Sequence, residues 1–168
     1  MGCQCPHTDG PSTAITIPFS EIPVLSRMFY EQRMTVPDSP ATLRAEYEDD
    51  LRAVINQHGP ETVADRTDVD RASVDALLED DSPALTLPEA AQIQALEDGE
   101  PGPDEMVEIA CDHLLLGMST AVLDVDSLES ELEIEMDAKE IQQKIERRAP
   151  MSFDEYVHIQ YVIADGAP

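Results

Sequence analysis

One short segment gathers positive charge and amide side chains on a chain that is otherwise strongly acidic. Residues 139–148 read KEIQQKIERR, which places four of the ten Lys and Arg residues within ten positions. Cationic side chains neutralise phosphates or carboxylates, and Gln amides can hydrogen-bond to adenine edges in the major groove. The segment therefore predicts a site that binds nucleic acid or an acidic partner. Its candidate residues are Lys139, Gln142, Gln143, Lys144, Arg147 and Arg148, with Arg71 as a further candidate in the first half.

The residue types needed for catalysis do not occur in any recognisable arrangement. Asp112 and His113 are adjacent on a predicted helix, where neighbouring side chains point apart, and no third member of a triad follows. The chain contains no GxGxxG, HExxH or CxxC motif. We therefore expect a protein that is not an enzyme and has no catalytic residue and no cofactor.

A metal site at the N-terminus is the only other chemical possibility that the sequence offers. Cys3, Cys5 and His7 occur in the segment CQCPH and could bind a soft metal. Two thiolates and one imidazole are too few for a closed tetrahedral site, so we expect no metal. Cys111 lies on an apolar helix face and is interpreted as a core residue.

Residues 61–96 contain a second recognisable pattern and predict three short helices joined by tight turns. A small residue is followed by a turn four positions later and by apolar residues five, ten and thirteen positions later, the pattern of a helix-turn-helix. The residues that carry it are Ala64, Asp68, Val69, Val74 and Leu77. Residues 51–96 therefore resemble the phage-repressor and Cro-like helix-turn-helix family. A generic three-helix packing unit without a DNA role is the alternative.

This resemblance implies that a helix capped by Asp70 would lie in a major groove. The residues facing the DNA would then be Asp70, Arg71, Asp75, Ala76 and Glu79. Three acids among them make a poor surface for phosphates. The family usually has Gly at the turn, where this chain has Asp68. Since Asp tolerates the left-handed conformation better than most residues, we expect Asp68 to adopt it.

Part of this pattern recurs near the C-terminus. Residues 74–96 and 141–163 both read as a helix, a turn containing Pro, a capping box and a second helix. Chance similarity between amphipathic helices is the alternative to a true repeat. The sequence therefore predicts an all-α fold with two tandem helix-turn-helix-like helical bundles packed together. We place the first bundle at 39–98 and the second, degenerate bundle at 103–164, separated by the turn-forming segment EDGEPGPD.

Residues 1–38 differ from the remainder in composition. Pro, Ser, Thr and Gly are frequent there and helical periodicity is missing, so we predict a disordered tail or a mis-assigned start. Met28 and Met34 are alternative first residues in the second case.

The charge balance indicates the environment of the protein. The chain has 36 acids against 10 Lys and Arg, a net charge of −26 and a pI of about 4.1, with 42% hydrophobic residues. Apolar periodicity argues against disorder, and molar salt would screen the repulsion. We interpret the composition as that of a protein from a salt-accumulating archaeon, with an acidic mimic of nucleic acid as the alternative. The segments EQRMTVPDSP, DHLLLGMSTAVLDVD and KEIQQKIERRAP resemble an uncharacterised haloarchaeal family of unknown function.

The sequence therefore predicts a non-enzymatic, helix-turn-helix-like protein that acts as a DNA-associated regulator. The alternative is a module for protein–protein interaction or self-association without nucleic-acid binding. A third interpretation is that the bases of 139–148 merely balance a helix C-terminus and its acids. The expected partners are DNA, a second copy of the chain or another protein. No apolar run is long enough to span a membrane and no secretion signal is recognisable, so we expect a cytoplasmic protein.

Overall fold

The structure is a computed structural model that describes Gly2 and residues 28–168. Within these residues it contains eight helices and no strand, so the all-α prediction is confirmed. The helices are α1 (Pro40–His58), α2 (Pro60–Arg66), α3 (Arg71–Leu78), α4 (Leu87–Gln94), α5 (Pro103–Ala121), α6 (Val125–Glu131), α7 (Ala138–Ile145) and α8 (Phe153–Asp165). Cys3, Cys5, His7 and most of the predicted tail lie outside the described residues.

Side-chain caps explain where most helices begin. Ser39 caps α1 by accepting a hydrogen bond from the Thr42 amide, and Pro40 occupies the first turn. Local residue patterns also predict helix starts at Asp104, Asp126 and Asp137, and the first two are wrong by a short distance. α5 is preceded by Gly102 rather than capped by Asp104, and α6 is capped by Asp124 rather than Asp126.

The helix order repeats along the chain. α1 to α4 contain 19, 7, 8 and 8 residues, and α5 to α8 contain 19, 7, 8 and 13. The predicted repeat of 74–96 and 141–163 falls on α3–α4 and α7–α8. α4 and α8 both begin with a complete capping box, formed by Thr86 with Glu89 and by Ser152 with Glu155.

The two copies, α1–α4 and α5–α8, are joined where the loop before α4 meets the loop before α8. Thr86 and Ser152 form an isolated antiparallel bridge. The Leu87 amide donates to the Met151 carbonyl at 3.0 Å, and the Phe153 amide donates to the Leu85 carbonyl at 2.9 Å. These reciprocal bonds join the loop before α4 to the loop before α8.

Both halves contribute to one core. α1 packs against α4 and α8, and α5 also packs against α4 and α8. The buried apolar side chains of all eight helices belong to a single cluster. The hydrophobic core is therefore continuous across the boundary between the predicted bundles at 39–98 and 103–164. Their division into two domains stays a prediction.

The end of the predicted tail is packed onto this core. Phe29 is 1% exposed and makes edge-to-face contacts with Tyr47, Phe153 and Tyr156. Its carbonyl accepts hydrogen bonds from the Tyr156 hydroxyl at 2.5 Å and from the Gln160 amide at 3.1 Å. Residues 29–31 are therefore anchored to the core although they lie within the range 1–38 predicted as a disordered tail or a mis-assigned start.

The turn between α2 and α3 also differs from the prediction. Asp68 does not have the left-handed backbone that was expected of it. Its amide instead donates to Oε1 of Gln92 at 2.6 Å, and Gln92 donates to the Asp68 carboxylate at 3.1 Å. A tertiary contact with α4 therefore holds this turn in place of a left-handed residue.

No single helix among the described residues is long and apolar enough to cross a membrane. α5 and α6 together meet that length and composition as a pair bent by 92°.

Candidate binding groove

The C-terminal end of α7 places two arginines on the surface. The helix ends in a Schellman motif, in which the Arg148 amide donates to the Gln143 carbonyl at 2.8 Å and the Arg147 amide to the Lys144 carbonyl at 3.1 Å. Arg147 adopts the left-handed backbone that this motif requires, with φ 62°. Both arginine side chains are exposed, at 45% for Arg147 and 61% for Arg148.

The equivalent turn at the end of α3 has the opposite charge. Asp80 has a left-handed backbone with φ 61°, and the Asp81 amide donates to the Ala76 carbonyl at 2.9 Å. The two copies therefore share the same left-handed turn after a helix. The left-handed residue is Asp80 in the first copy and Arg147 in the second.

Lys144 is buried within the second copy and forms ion pairs there. Its side chain is only 9% exposed, and its Nζ lies 2.6 Å from Oε1 of Glu155 and 2.9 Å from Oε1 of Glu140. Burial alone would lower the pKa of Lys144, but the bonds to Glu155 and Glu140 outweigh it and raise that pKa. Since the charge is satisfied inside the chain, Lys144 has little left to offer a phosphate.

The exposed members of the predicted site also have acidic neighbours. Arg147 lies 3.5 Å from Glu108 of α5, and Arg148 pairs with Glu146. The Gln142 amide donates to Glu146 at 2.9 Å, and together with Arg148 it lowers the pKa of Glu146. Lys139 is exposed and Gln143 is partly buried.

The structure brings six of the seven predicted site residues together and separates Arg71 from them. Arg71 lies on α3, which packs against α1 and α2, whereas α7 packs against α5 and α6. Its guanidinium contacts Asp75 at 2.9 Å and Glu61 at 4.0 Å. Arg71 is therefore a surface ion pair of the first copy and no part of the same site.

An apolar groove of about 300 Å³ lies beside the two arginines. Its walls come from the start of α4, the side of α5 that carries Val107 and Cys111, and the turn after α7. The lining residues are Leu87, Pro88, Val107, Cys111, Lys144, Arg147, Arg148, Ala149, Pro150 and Met151. The apolar members meet only in the tertiary structure, so residue patterns had identified the cationic rim and missed the apolar floor.

The thiol of Cys111 belongs to that floor and is unreactive in character. It is 2% exposed, and burial raises its pKa to about 11, although nearby Arg147 acts in the opposite direction. A thiol with so high a pKa is protonated at neutral pH and is a poor nucleophile. Cys111 therefore contributes an apolar wall to the groove and no reactive thiolate.

A second cavity, of about 410 Å³, lies between the start of α1, α6 and the end of α8. Its wall includes Tyr161, His158 and the carboxylates of Glu131, Glu133 and Asp165. Among the described residues, no group of three or more His, Cys, Asp and Glu is placed to hold a metal ion. These carboxylates match the acidic composition of the chain. The groove beside α7 differs, because two exposed arginines border it.

Comparison with known proteins identifies a family and no activity. The model of a family of unknown function (DUF5791) matches residues 43–166, which include α2 to α8 and most of α1. Neither the curated proteins nor the solved structures gave a match.

Proposed function

We propose that this chain, which belongs to the family of unknown function DUF5791, binds a partner protein. The family description assigns no activity. The protein is a non-enzymatic interaction module. Its groove beside α7 captures an acidic segment of a partner protein that inserts an apolar side chain. The observation that carries this proposal is the combination of an apolar floor with a rim of two exposed arginines.

The rim fits a carboxylate for a specific reason. Arg147 meets Glu108 only at 3.5 Å, so most of its guanidinium donors remain open to an incoming acid. Exposed ion pairs contribute little and exchange readily, which allows a partner carboxylate to replace Glu108 or Glu146. The apolar floor supplies the non-polar contact that a surface of charges alone would lack.

The same geometry disfavours a DNA-associated regulator. Glu108, Glu140 and Glu146 lie beside the cations of this surface, and Lys144 is buried. Phosphate binding requires a net positive surface that displaces counterions. A duplex meets here about as many carboxylates as cations, on a chain whose net charge is −26.

We also propose that the module works in a salt-accumulating, haloarchaeal cytoplasm. The excess of 36 acids over 10 Lys and Arg supports this environment. Molar salt screens charge attraction but does not screen apolar burial, so the apolar floor supplies the contact that persists there.

The proposal is tested with short fluorescent peptides in molar KCl. One probe alternates Glu and Leu, and a matched probe replaces each Leu with Ser. We expect the Leu probe to raise fluorescence anisotropy and the Ser probe to bind at least about tenfold more weakly, the equivalent of ~1.4 kcal/mol. Equal binding of the two probes would contradict the apolar floor.

Variants locate the site. Arg147→Asn together with Arg148→Ala should weaken binding of the Leu probe about tenfold. Asn is chosen at position 147 because it tolerates the left-handed backbone. Ala149→Trp should block the groove without changing charge. Arg71→Ala is the control, because Arg71 has an exposure of 47%, close to the 45% of Arg147, and lies outside the groove. Genomic DNA fragments form the competing arm, and DNA binding lost in the double variant would favour the regulator instead.

A further inference from the structure

The long helices α1 and α5 occupy equivalent places in the two copies. Each contains 19 residues and begins with a proline, Pro40 in α1 and Pro103 in α5. Beyond these prolines, the same positions counted from the start of the helix are buried in both. They are Leu43, Tyr47, Glu48, Leu51, Val54 and Ile55 in α1, and Met106, Ala110, Cys111, Leu114, Gly117 and Met118 in α5. The two helices can therefore be compared position by position.

In the first copy, an arginine of α1 is enclosed by polar partners. The Arg44 guanidinium lies 2.7 Å from Glu48 and 2.8 Å from Asp154 at the start of α8. It also donates to the Pro83 carbonyl at 2.7 Å, and it lies 5.9 Å from the centre of the Phe153 ring. The side chains of Arg44 and Glu48 are only 12% and 5% exposed. The Arg44 side chain thus fills the space between α1, the turn after α3 and the start of α8.

The groove beside α7 lies at the equivalent place in the second copy. Its walls are α5, the turn after α7 and the start of α4. The capping boxes of α4 and α8 align Pro88 with Asp154, since each follows the capping residue by two positions. The left-handed residues of the two turns align Pro150 with Pro83, since each follows the left-handed residue by three positions. The groove therefore corresponds to the space that the Arg44 side chain fills in the first copy.

The charges of the first copy are missing from the floor of the groove and reversed at its rim. Three apolar residues that line the groove replace the three charged ones, Val107 for Arg44, Cys111 for Glu48 and Pro88 for Asp154. At the rim, Arg147 and Arg148 replace Asp80 and Asp81. Because valine is shorter than arginine, the space that is filled in the first copy is open in the second.

We propose that a long apolar side chain of the partner occupies in the second copy the place that the Arg44 side chain occupies in the first, and that Val107 and Cys111 determine this specificity. The specificity rests on the partner-binding function of the groove. A charged tip would be buried there without a partner, which is costly, whereas acids beside it can bond to Arg147 and Arg148. The inserted residue is therefore a Leu or Met flanked by Asp or Glu. In the first copy, Arg44 already fills the corresponding space.

An ion pair transferred to the second copy should close the groove. Val107→Arg with Cys111→Glu reproduces the pair found in α1 and leaves both rim arginines unchanged. In molar KCl we expect this variant to bind the Leu probe, which alternates Glu and Leu, at least about tenfold more weakly than the wild type. Leu115→Arg with Ser119→Glu is the matched control. It places the same pair at the same spacing on exposed positions of α5 outside the groove, and it should leave probe binding unchanged.

Removal of the ion pair from the first copy should open a groove there. Arg44→Val with Glu48→Cys removes both charges together, because removal of one alone would leave the other buried and unpaired. The acids Asp80 and Asp81 should then select a basic partner. We expect this variant to bind a probe that alternates Lys and Leu at least about tenfold more tightly than the wild type does. Circular dichroism checks that each variant is folded.

The outcomes separate the specificity from the function of the groove. Equal binding of the Leu probe by the wild type and by Val107→Arg/Cys111→Glu overturns the specificity and leaves the function intact. The same holds if Arg44→Val/Glu48→Cys gains no binding of the Lys/Leu probe, and this variant decides alone if the other does not fold. A wild type that does not bind the Leu probe contradicts the partner-binding function itself, and the specificity falls with it.

Discussion

Ile163 packs directly onto Gly117 where α8 crosses α5. A Cβ atom added at position 117 would lie 2.6 Å from Cγ2 of Ile163, well inside normal contact distance. The missing side chain of one helix thus makes room for a branched side chain of the other. This contact allows α5 and α8 to approach closely and joins the two ends of the second copy.

We expect Gly117→Ala to destabilise the fold, although Ala is the better helix former. The clash should cost ~1–3 kcal/mol, which exceeds the gain in helix propensity of ~1 kcal/mol at most. Urea denaturation measures the free energy of unfolding. Gly102→Ala is the control, because nothing lies within 4 Å of a Cβ there. Ile163→Ala should be less destabilising in the Gly117→Ala background than alone, and simple additivity would contradict the contact.

Phe29→Ala tests whether residues 28–38 belong to the folded body. Phe29 is buried among Tyr47, Phe153 and Tyr156, so removal of its ring should lower the free energy of unfolding by ~3–5 kcal/mol. Met34→Ala, in the same segment but 45% exposed, should change it little. The prediction fails if both variants unfold at the wild-type denaturant concentration.

Alkaline pH should weaken the fold. Burial raises the pKa of Tyr47 to about 12 and that of Cys111 to about 11, and it raises the pKa of Tyr156 well above the ordinary value. Unfolding lets these groups lose protons at their usual pKa values of about 10 and about 8.5. Stability is therefore complete below about pH 8.5 and falls as pH rises toward the folded-state values.

Thermal melts followed by circular dichroism would measure this loss. Tyr47→Phe should reduce the slope of stability against pH above about pH 10 by removing one titrating group. A melting temperature that stays constant up to about pH 11 would show that these protons do not couple to folding.

Added salt should stabilise the fold, whereas alkaline pH should destabilise it. The 36 acids and 10 Lys and Arg predict self-repulsion in dilute buffer and a fold that gains stability as KCl is added. Melting temperatures measured from dilute buffer to molar KCl test this expectation. Sucrose at matched osmolality separates screening from osmotic effects. Full helicity with an unchanged melting temperature in dilute buffer argues against adaptation to salt.

Local patterns predicted the helix starts well where a single capping residue was present. Thr86, Asp137 and Ser152 each accept a hydrogen bond from the amide three residues later, an interaction that depends only on neighbouring residues. The prediction failed at Asp126, because Asp124, two residues earlier, caps the same helix by accepting a hydrogen bond from the Ser127 amide.

The candidate site could be predicted only in part, because burial depends on distant residues. Lys144 had the sequence signature of a surface cation. It is buried because Glu155, which belongs to the capping box of α8, meets its Nζ across the turn. Val107 and Met151 likewise reach the groove only through packing of α5 against α4 and α7. No local spacing relates these segments.

The docking of Phe29 onto α8 has a consequence for synthesis of the chain. Translation proceeds from the N-terminus, so residues 28–31 leave the ribosome long before Tyr156 and Gln160, the groups that bind their carbonyls. A segment that emerges early must therefore wait for α8, the last helix of the described residues. Contacts so distant in sequence slow folding and leave apolar surface open meanwhile. A nascent chain that stops before α8 would leave Phe29 in contact with Tyr47 alone among the three rings that bury it, with the rings of Phe153 and Tyr156 missing.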